Sequence, residues 1–141
     1  MKLIVVGGHS RNIGKTSVAA AVIAATRELG WTALKLTQYG HGVCSAHGEP
    51  CDCTVADPAH PFSITREQDA GGRGDTSRFL AAGAREAYWV RTPQGGLGAA
   101  MPEIRRIVED RPYVVMESNS VMRFLRPDLY LAVLDGATAD F

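Results

Sequence analysis

Short apolar runs alternating with helix-forming stretches predict an α/β fold: a doubly wound, mostly parallel sheet with helices on both faces, a three-layer sandwich. Three adjacent segments carry that prediction. KLIVVGG, residues 2–8, is a continuous apolar run rich in Val and Ile, as suits a strand buried on both faces. KTSVAAAVIAATREL, residues 15–29, is alanine-rich and apolar on most sides, which predicts a helix packed on a sheet, with Gly30 as its stop. WTALKLT, residues 31–37, follows as a second strand, so strand, glycine loop, helix and strand make a βαβ unit of about minimum length.

The remaining elements continue the alternation. Residues 38–75 are dense in Gly, Pro, Cys and His with little apolar periodicity, which predicts a long irregular insert, and loops of that length are usually functional or disordered. TSRFLAAGA, from Thr76, reads as a helix capped by Asp75 or Thr76. EAYWVRT (86–92) is a third strand and GLGAAMPEIRRIVEDR (96–111) a helix with Pro102 near its start. PYVVMES (112–118) is a fourth strand, SVMRFLR a short helical turn, and DLYLAVLD (128–135) a fifth strand. The 141 residues suit one domain, without internal repeat or low-complexity tract. A doubly wound domain often continues with a further helix and strand, so a terminal piece past Phe141 is expected.

Composition narrows the class of partner. Hydrophobic residues make up 45% and charged residues 21%, and 15 Lys plus Arg balance 15 Asp plus Glu. A formal net charge of zero gives no support for nucleic-acid binding through bulk charge. The apolar run Leu3–Val6 is too short for a secretory or transmembrane segment, so a cytoplasmic protein without a membrane partner is expected.

GGHSRNIGKTS, residues 7–17, stands between the first strand and the first helix. Phosphate binding needs inward backbone N–H groups, a helix N-terminus behind them and a lysine in reach. Gly8, His9, Ser10, Arg11, Asn12, Ile13 and Gly14 supply the loop, Lys15 reaches outer phosphates, and Thr16 and Ser17 open the helix, with the Thr16 hydroxyl a ligand for Mg²⁺. The other reading is a tight turn whose lysine faces solvent. The standard spacing G-x-x-x-x-G-K-[ST] places its first glycine at His9; counted from Gly8 the loop is one residue longer. Two strand ends add to this. Lys35 is placed at the end of the second strand and Glu117 at the end of the fourth, and ligands of open α/β sheets lie outside such ends. Lys35 either reaches the site or snorkels to water. A strand-end acid is costly unless solvated, paired or bound to metal, which makes Glu117 a candidate Mg²⁺ ligand, directly or through water. Asp75 is either a helix cap or a member of the outer Mg²⁺ shell.

The longer loop resembles that of dethiobiotin synthetase and of the cobyrinic acid diamide synthase family, within the P-loop NTPases of the signal-recognition and MinD-type class. ALKLTQYGHG, with Lys35, and GDTSRFLAAGA, with Asp75, are similar to segments of the molybdopterin-guanine dinucleotide biosynthesis protein B group, and YVVMESNS carries Glu117 where the class has a Mg²⁺-holding glutamate. SNS after Glu117 departs from the glycine-rich turn of dethiobiotin synthetase. The resemblance implies a Rossmann-like P-loop domain over residues 1–141 that binds a nucleoside triphosphate with Mg²⁺. Lys15, Lys35 and Glu117 would be its catalytic groups, and a homodimer is implied. No Asn-Lys-x-Asp guanine-reading motif is present, which favours ATP over GTP. Two functions follow. One is hydrolysis or phosphoryl transfer to a small-molecule acceptor in cofactor biosynthesis. The other is a nucleotide-switched adaptor for molybdenum-cofactor or metalloenzyme assembly, acting through a protein partner.

Cys44, Cys51 and Cys53 crowd into ten residues beside His41 and His47. An odd number of clustered cysteines argues against a disulfide framework. The spacing C-x6-C-x-C matches no zinc ribbon or finger. A Zn²⁺ site of the three cysteines with His47, an iron–sulfur cluster, and a loop with free thiols are the readings open.

Overall fold

The computed structural model describes residues 1–8, 13–39 and 62–137. Its elements run β1 (Lys2–Gly8), α1 (Lys15–Ala25), β2 (Thr32–Tyr39), β3 (Ser63–Arg66), α2 (Asp75–Ala82), β4 (Glu86–Pro93), α3 (Leu97–Val108), β5 (Tyr113–Glu117) and β6 (Leu129–Val133). The strands form one six-stranded sheet in the order β3-β4-β2-β5-β1-β6. Every pairing is parallel except that of β3 with β4. Among the described residues no helix is long and apolar enough to cross a membrane.

Strand alternation sorts the core into two layers. Leu3 and Val5 of β1, Leu34 of β2, Val90 of β4 and Val114 and Met116 of β5 pack against Leu97, Ala100, Met101, Ile104 and Val108 of α3. The intervening residues, Val6, Ala33, Ala87 and Val115, pack on the other face against Ala19 and Ile23 of α1 and Phe79 of α2. Trp31 meets Tyr113 edge-on in that layer, with ring centroids 5.6 Å apart. β1, β2 and β5 are thus buried on both sides, which is why they read as nearly unbroken apolar runs.

Several boundaries differ from the sequence reading, each for a local reason. α1 stops at Ala25, and a 3-10 turn covers Arg27–Leu29. Thr26 turns its hydroxyl back onto the Val22 carbonyl at 2.6 Å and accepts the Trp31 indole N–H at 2.9 Å. Such back-bonding competes with continued helix. Gly30 closes the 3-10 turn with φ 68°. Pro102 is not near the start of α3 but its sixth residue. The irregular insert is narrower than 38–75. Gln38 and Tyr39 belong to β2, and Ser63–Arg66 form the antiparallel edge strand β3, which four residues of mixed polarity did not announce. Neither Asp75 nor Thr76 caps α2; Gly74 takes that position and Asp75 is the first helical residue.

The end of the sheet away from the strand C-termini is fastened by Glu86, only 5% exposed. Its carboxylate accepts bonds from Thr32 Oγ1 at 2.9 Å, Tyr88 Oη at 3.1 Å and the Arg111 guanidinium, joining β2, β4 and the segment after α3. Burial works to raise the Glu86 carboxyl, but the Arg111 and Thr32 bonds outweigh it and hold the group below the usual range. A depressed folded pKa contributes stability that is present above the unfolded value, about 4.3, and is lost as pH falls through the folded value. Glu86→Gln is expected to flatten that acid limb and to cost roughly 1–3 kcal/mol at neutral pH, measured by urea unfolding between pH 3 and 7. An unchanged acid limb would show that Glu86 is not the group involved.

Candidate functional site

The site arises where the apolar layer between the sheet and helices α1 and α2 runs out. Val6, Glu117 and Lys35 lie in one register across β1, β5 and β2, so their side chains share one sheet face. Val6 is core, whereas Glu117 and Lys35, one row beyond Val115 and Ala33, meet the N-termini of the two helices. Thr16 donates its hydroxyl to Glu117 Oε2 at 2.7 Å. Lys35 Nζ donates to Glu117 Oε1 at 3.3 Å and to Asp75 Oδ2. Four residues far apart in sequence, Thr16, Lys35, Asp75 and Glu117, therefore form one connected network.

Burial makes the network consequential. Glu117 is 5% exposed and Thr16 8%. A carboxylate removed from water to that degree needs cationic or hydrogen-bonding partners. Asp75 is more open and shares its second oxygen with Arg78, whose Nη1 lies 3.9 Å away. Arg78 Nη2 also donates to Ser17 Oγ at 2.9 Å, tying the first turn of α2 to that of α1. Glu67, just after β3, accepts from Ser77 Oγ at 2.7 Å and Thr76 Oγ1 at 3.0 Å, and so fixes where α2 begins. The Ser77 bond foremost, against the opposing cost of burial, holds Glu67 below the usual carboxylate range.

The glycine loop enters this site from β1. Gly8 ends the strand in a tight place: a Cβ there would stand 2.6 Å from both Ile13 Cδ1 and the Val133 carbonyl, and 3.4 Å from Lys15 Cδ. Lys15 is thus folded back across Gly8, and it is 9% exposed. Gly14 precedes α1 with φ 102°, a conformation that favours glycine. Among the described residues no side chain caps α1 and no acid stands in its first turn, so the positive end of the helix dipole faces the loop. His9, Ser10, Arg11 and Asn12 lie outside the described residues, as do His41, Cys44, His47, Cys51 and Cys53.

Lys35 is not at the end of its strand. It is the fourth of eight residues in β2, which with β4 runs four residues past the level at which β5 stops. Residues after β5 also take part, although the sequence reading gave them no role. The Ser118 hydroxyl accepts the N–H groups of Ser120 at 3.1 Å and Val121 at 3.0 Å, closing a turn. Asn119 Oδ1 accepts the Gly8 N–H at 3.2 Å, and Gln38 Nε2 donates to Ser120 Oγ at 2.8 Å. A Ser-Asn-Ser run behind a buried strand is itself a turn signal.

Thr16, Glu117 and Asp75 offer hard oxygen donors, the set that suits Mg²⁺ when substrate oxygens and water complete the shell. Among the described residues no three His, Cys, Asp or Glu side chains gather into a metal site, so an all-protein cage of those types is not formed there. Compared with family models, curated proteins and solved structures, the chain matches none.

Two outcomes are expected. Thr16→Val leaves Glu117 Oε2 without its hydroxyl partner and costs roughly 1.5–3 kcal/mol; a double-mutant cycle with Glu117→Gln recovers most of that as coupling, whereas additive effects would mean that the bond contributes little. Gly8→Ala is expected to lower stability by roughly 1–3 kcal/mol, read as thermal midpoint, because the Val133 carbonyl cannot rotate out of the way. An unchanged midpoint would show that the loop has room.

Proposed function

We propose that this chain is a P-loop nucleoside triphosphate-binding protein, with ATP preferred, that uses Mg²⁺ and hydrolyses or transfers the terminal phosphoryl group. The observation that carries the reading is the bond from Thr16, directly after Gly14-Lys15, to the buried Glu117 across the sheet. In a turn without function nothing requires a helix-opening threonine to meet a strand-end carboxylate. With the Lys15 side chain packed against Gly8 and Lys35 beside Glu117, two lysines and a helix N-terminus lie at the same end of the sheet.

Phosphoryl transfer asks mainly for positioning and charge stabilisation. In this reading residues 8–17 hold the phosphates through backbone N–H groups. Lys15 and Lys35 offset the charge that spreads over the transferring group. Thr16 Oγ1 and Glu117 would hold Mg²⁺, with Asp75 and Arg78 fixing the arrangement from α2. When bound, the metal supplies a Lewis acid that withdraws charge from phosphate oxygens. A small acceptor or water would approach over the C-terminal ends of β2 and β4, and the resemblance to cofactor-biosynthesis enzymes suggests the former.

Calorimetric titration with Mg·ATP and Mg·GTP is the test, on the wild type and on Lys15→Ala. Binding of ATP that weakens by about 100-fold or more in the variant, as loss of a charge-assisted phosphate contact implies, supports the reading. No binding of either nucleotide would overturn it. Binding without turnover, accelerated by a protein and by no small molecule, would assign the chain to the adaptor function.

A further inference from the structure

The position of Lys35 implies more than charge stabilisation. Glu117 has both oxygens engaged, Oε2 by the Thr16 hydroxyl at 2.7 Å and Oε1 by the Lys35 ammonium at 3.3 Å. The same ammonium donates to Asp75 Oδ2. Lys35 therefore bridges Glu117, which a divalent cation at this place would take as ligand, to the neighbouring Asp75, and it does so from the middle of a paired strand that fixes its backbone.

A cation with ligand distances near 2.1 Å cannot share these oxygens with an ammonium without close repulsion between like charges. Nor can Glu117, 5% exposed, stand without a cationic or hydrogen-bonding partner. One cation must replace the other. Asp75 keeps Arg78 beside its second oxygen at 3.9 Å, so its charge stays partly offset when Lys35 leaves. What Lys35 needs in exchange is another anion, and the phosphates of a nucleotide supply one.

We infer that Lys35 is a built-in competitor for the metal: it holds Glu117 and Asp75 until nucleotide phosphates draw it away, so that Mg²⁺ enters with the nucleotide and is kept out without it. This rests on the phosphate-site reading above and adds an order of binding to it. It also separates the two lysines, since Lys15 would serve the phosphates alone whereas Lys35 would couple phosphate arrival to metal entry.

The test uses Mn²⁺ as probe and no nucleotide. Free Mn²⁺ is followed by electron paramagnetic resonance during titration of the full chain, wild type against Lys35→Met and Lys35→Gln. Both variants are expected to bind Mn²⁺ roughly tenfold tighter or more, because a unit charge at contact distance has been removed. Their thermal midpoints should rise on adding Mn²⁺ by more than the wild type's, and Glu117→Gln in the Lys35→Met background should abolish the gain. Folded variants, checked by circular dichroism, with Mn²⁺ affinity equal to the wild type's would overturn the inference. The two readings fail separately. Wild-type protein that binds Mg·ATP while the variants show no gain refutes the competition alone. A gain in the variants beside a wild type blind to nucleotides refutes the nucleotide reading and the order of binding built on it, and upholds only the competition between Lys35 and the metal.

Discussion

A carboxylate buried at the end of a parallel strand governs the arrangement of this molecule. Glu117 is held by Thr16 from α1 and Lys35 from β2, and through Lys35 it is joined to Asp75 at the start of α2. Each partner comes from a different element, so the electrostatic need of one side chain fixes how two helices meet the sheet. Removing any partner leaves charge in a place where water replaces it poorly. The apolar layers on both faces supply bulk stability; this network supplies register between the elements at the end of the sheet where β1 and β5 finish.

Topology explains why these residues converge. β5 lies between β1 and β2, although it follows both in sequence by many residues. That insertion places the strand end bearing Glu117 beside the glycine loop on one side and Lys35 on the other. Because β2 and β4 continue past the end of β5, the sheet offers a ledge beside the network. Level with Lys35, Trp89 donates to Thr37 Oγ1 at 3.0 Å, with the Arg91 guanidinium 4.5 Å above its ring. Thr37 and Arg91 lie on the same sheet face as Lys35, and in the proposed reading an acceptor would approach from there.

Much of this was legible in the residues. The unbroken apolar runs announced parallel strands covered on both faces, and the Gly-Lys-Thr step after the first of them located the loop and the start of α1. Period-two alternation from Val115 places Glu117 on the same face of β5 as Val115; that this is also the face of Val6 follows from the register of β1 with β5. What the sequence did not disclose depended on tertiary contact. β3 is a four-residue edge strand whose pairing with β4 no local pattern reveals. α1 ends where the Thr26 hydroxyl turns back onto the Val22 carbonyl and accepts the Trp31 indole N–H from outside the helix. Asp75 read as either a helix cap or a member of the outer Mg²⁺ shell; it is the first residue of α2 rather than its cap, with its carboxylate bonded to a lysine from another strand. Asn119 and Gln38 have partners over 80 residues away, beyond any spacing rule.

The most direct test of the site is diffraction from crystals of the chain grown with Mn²⁺ and a non-hydrolysable ATP analogue, using the anomalous signal of the metal to place it. The expected result is a manganese peak bound by Thr16 Oγ1 and, directly or through one water, by the Glu117 carboxylate, with the outer phosphates over the first turn of α1 and Lys35 turned toward them. Nucleotide seated away from residues 8–17, or a metal peak remote from Glu117, would contradict it.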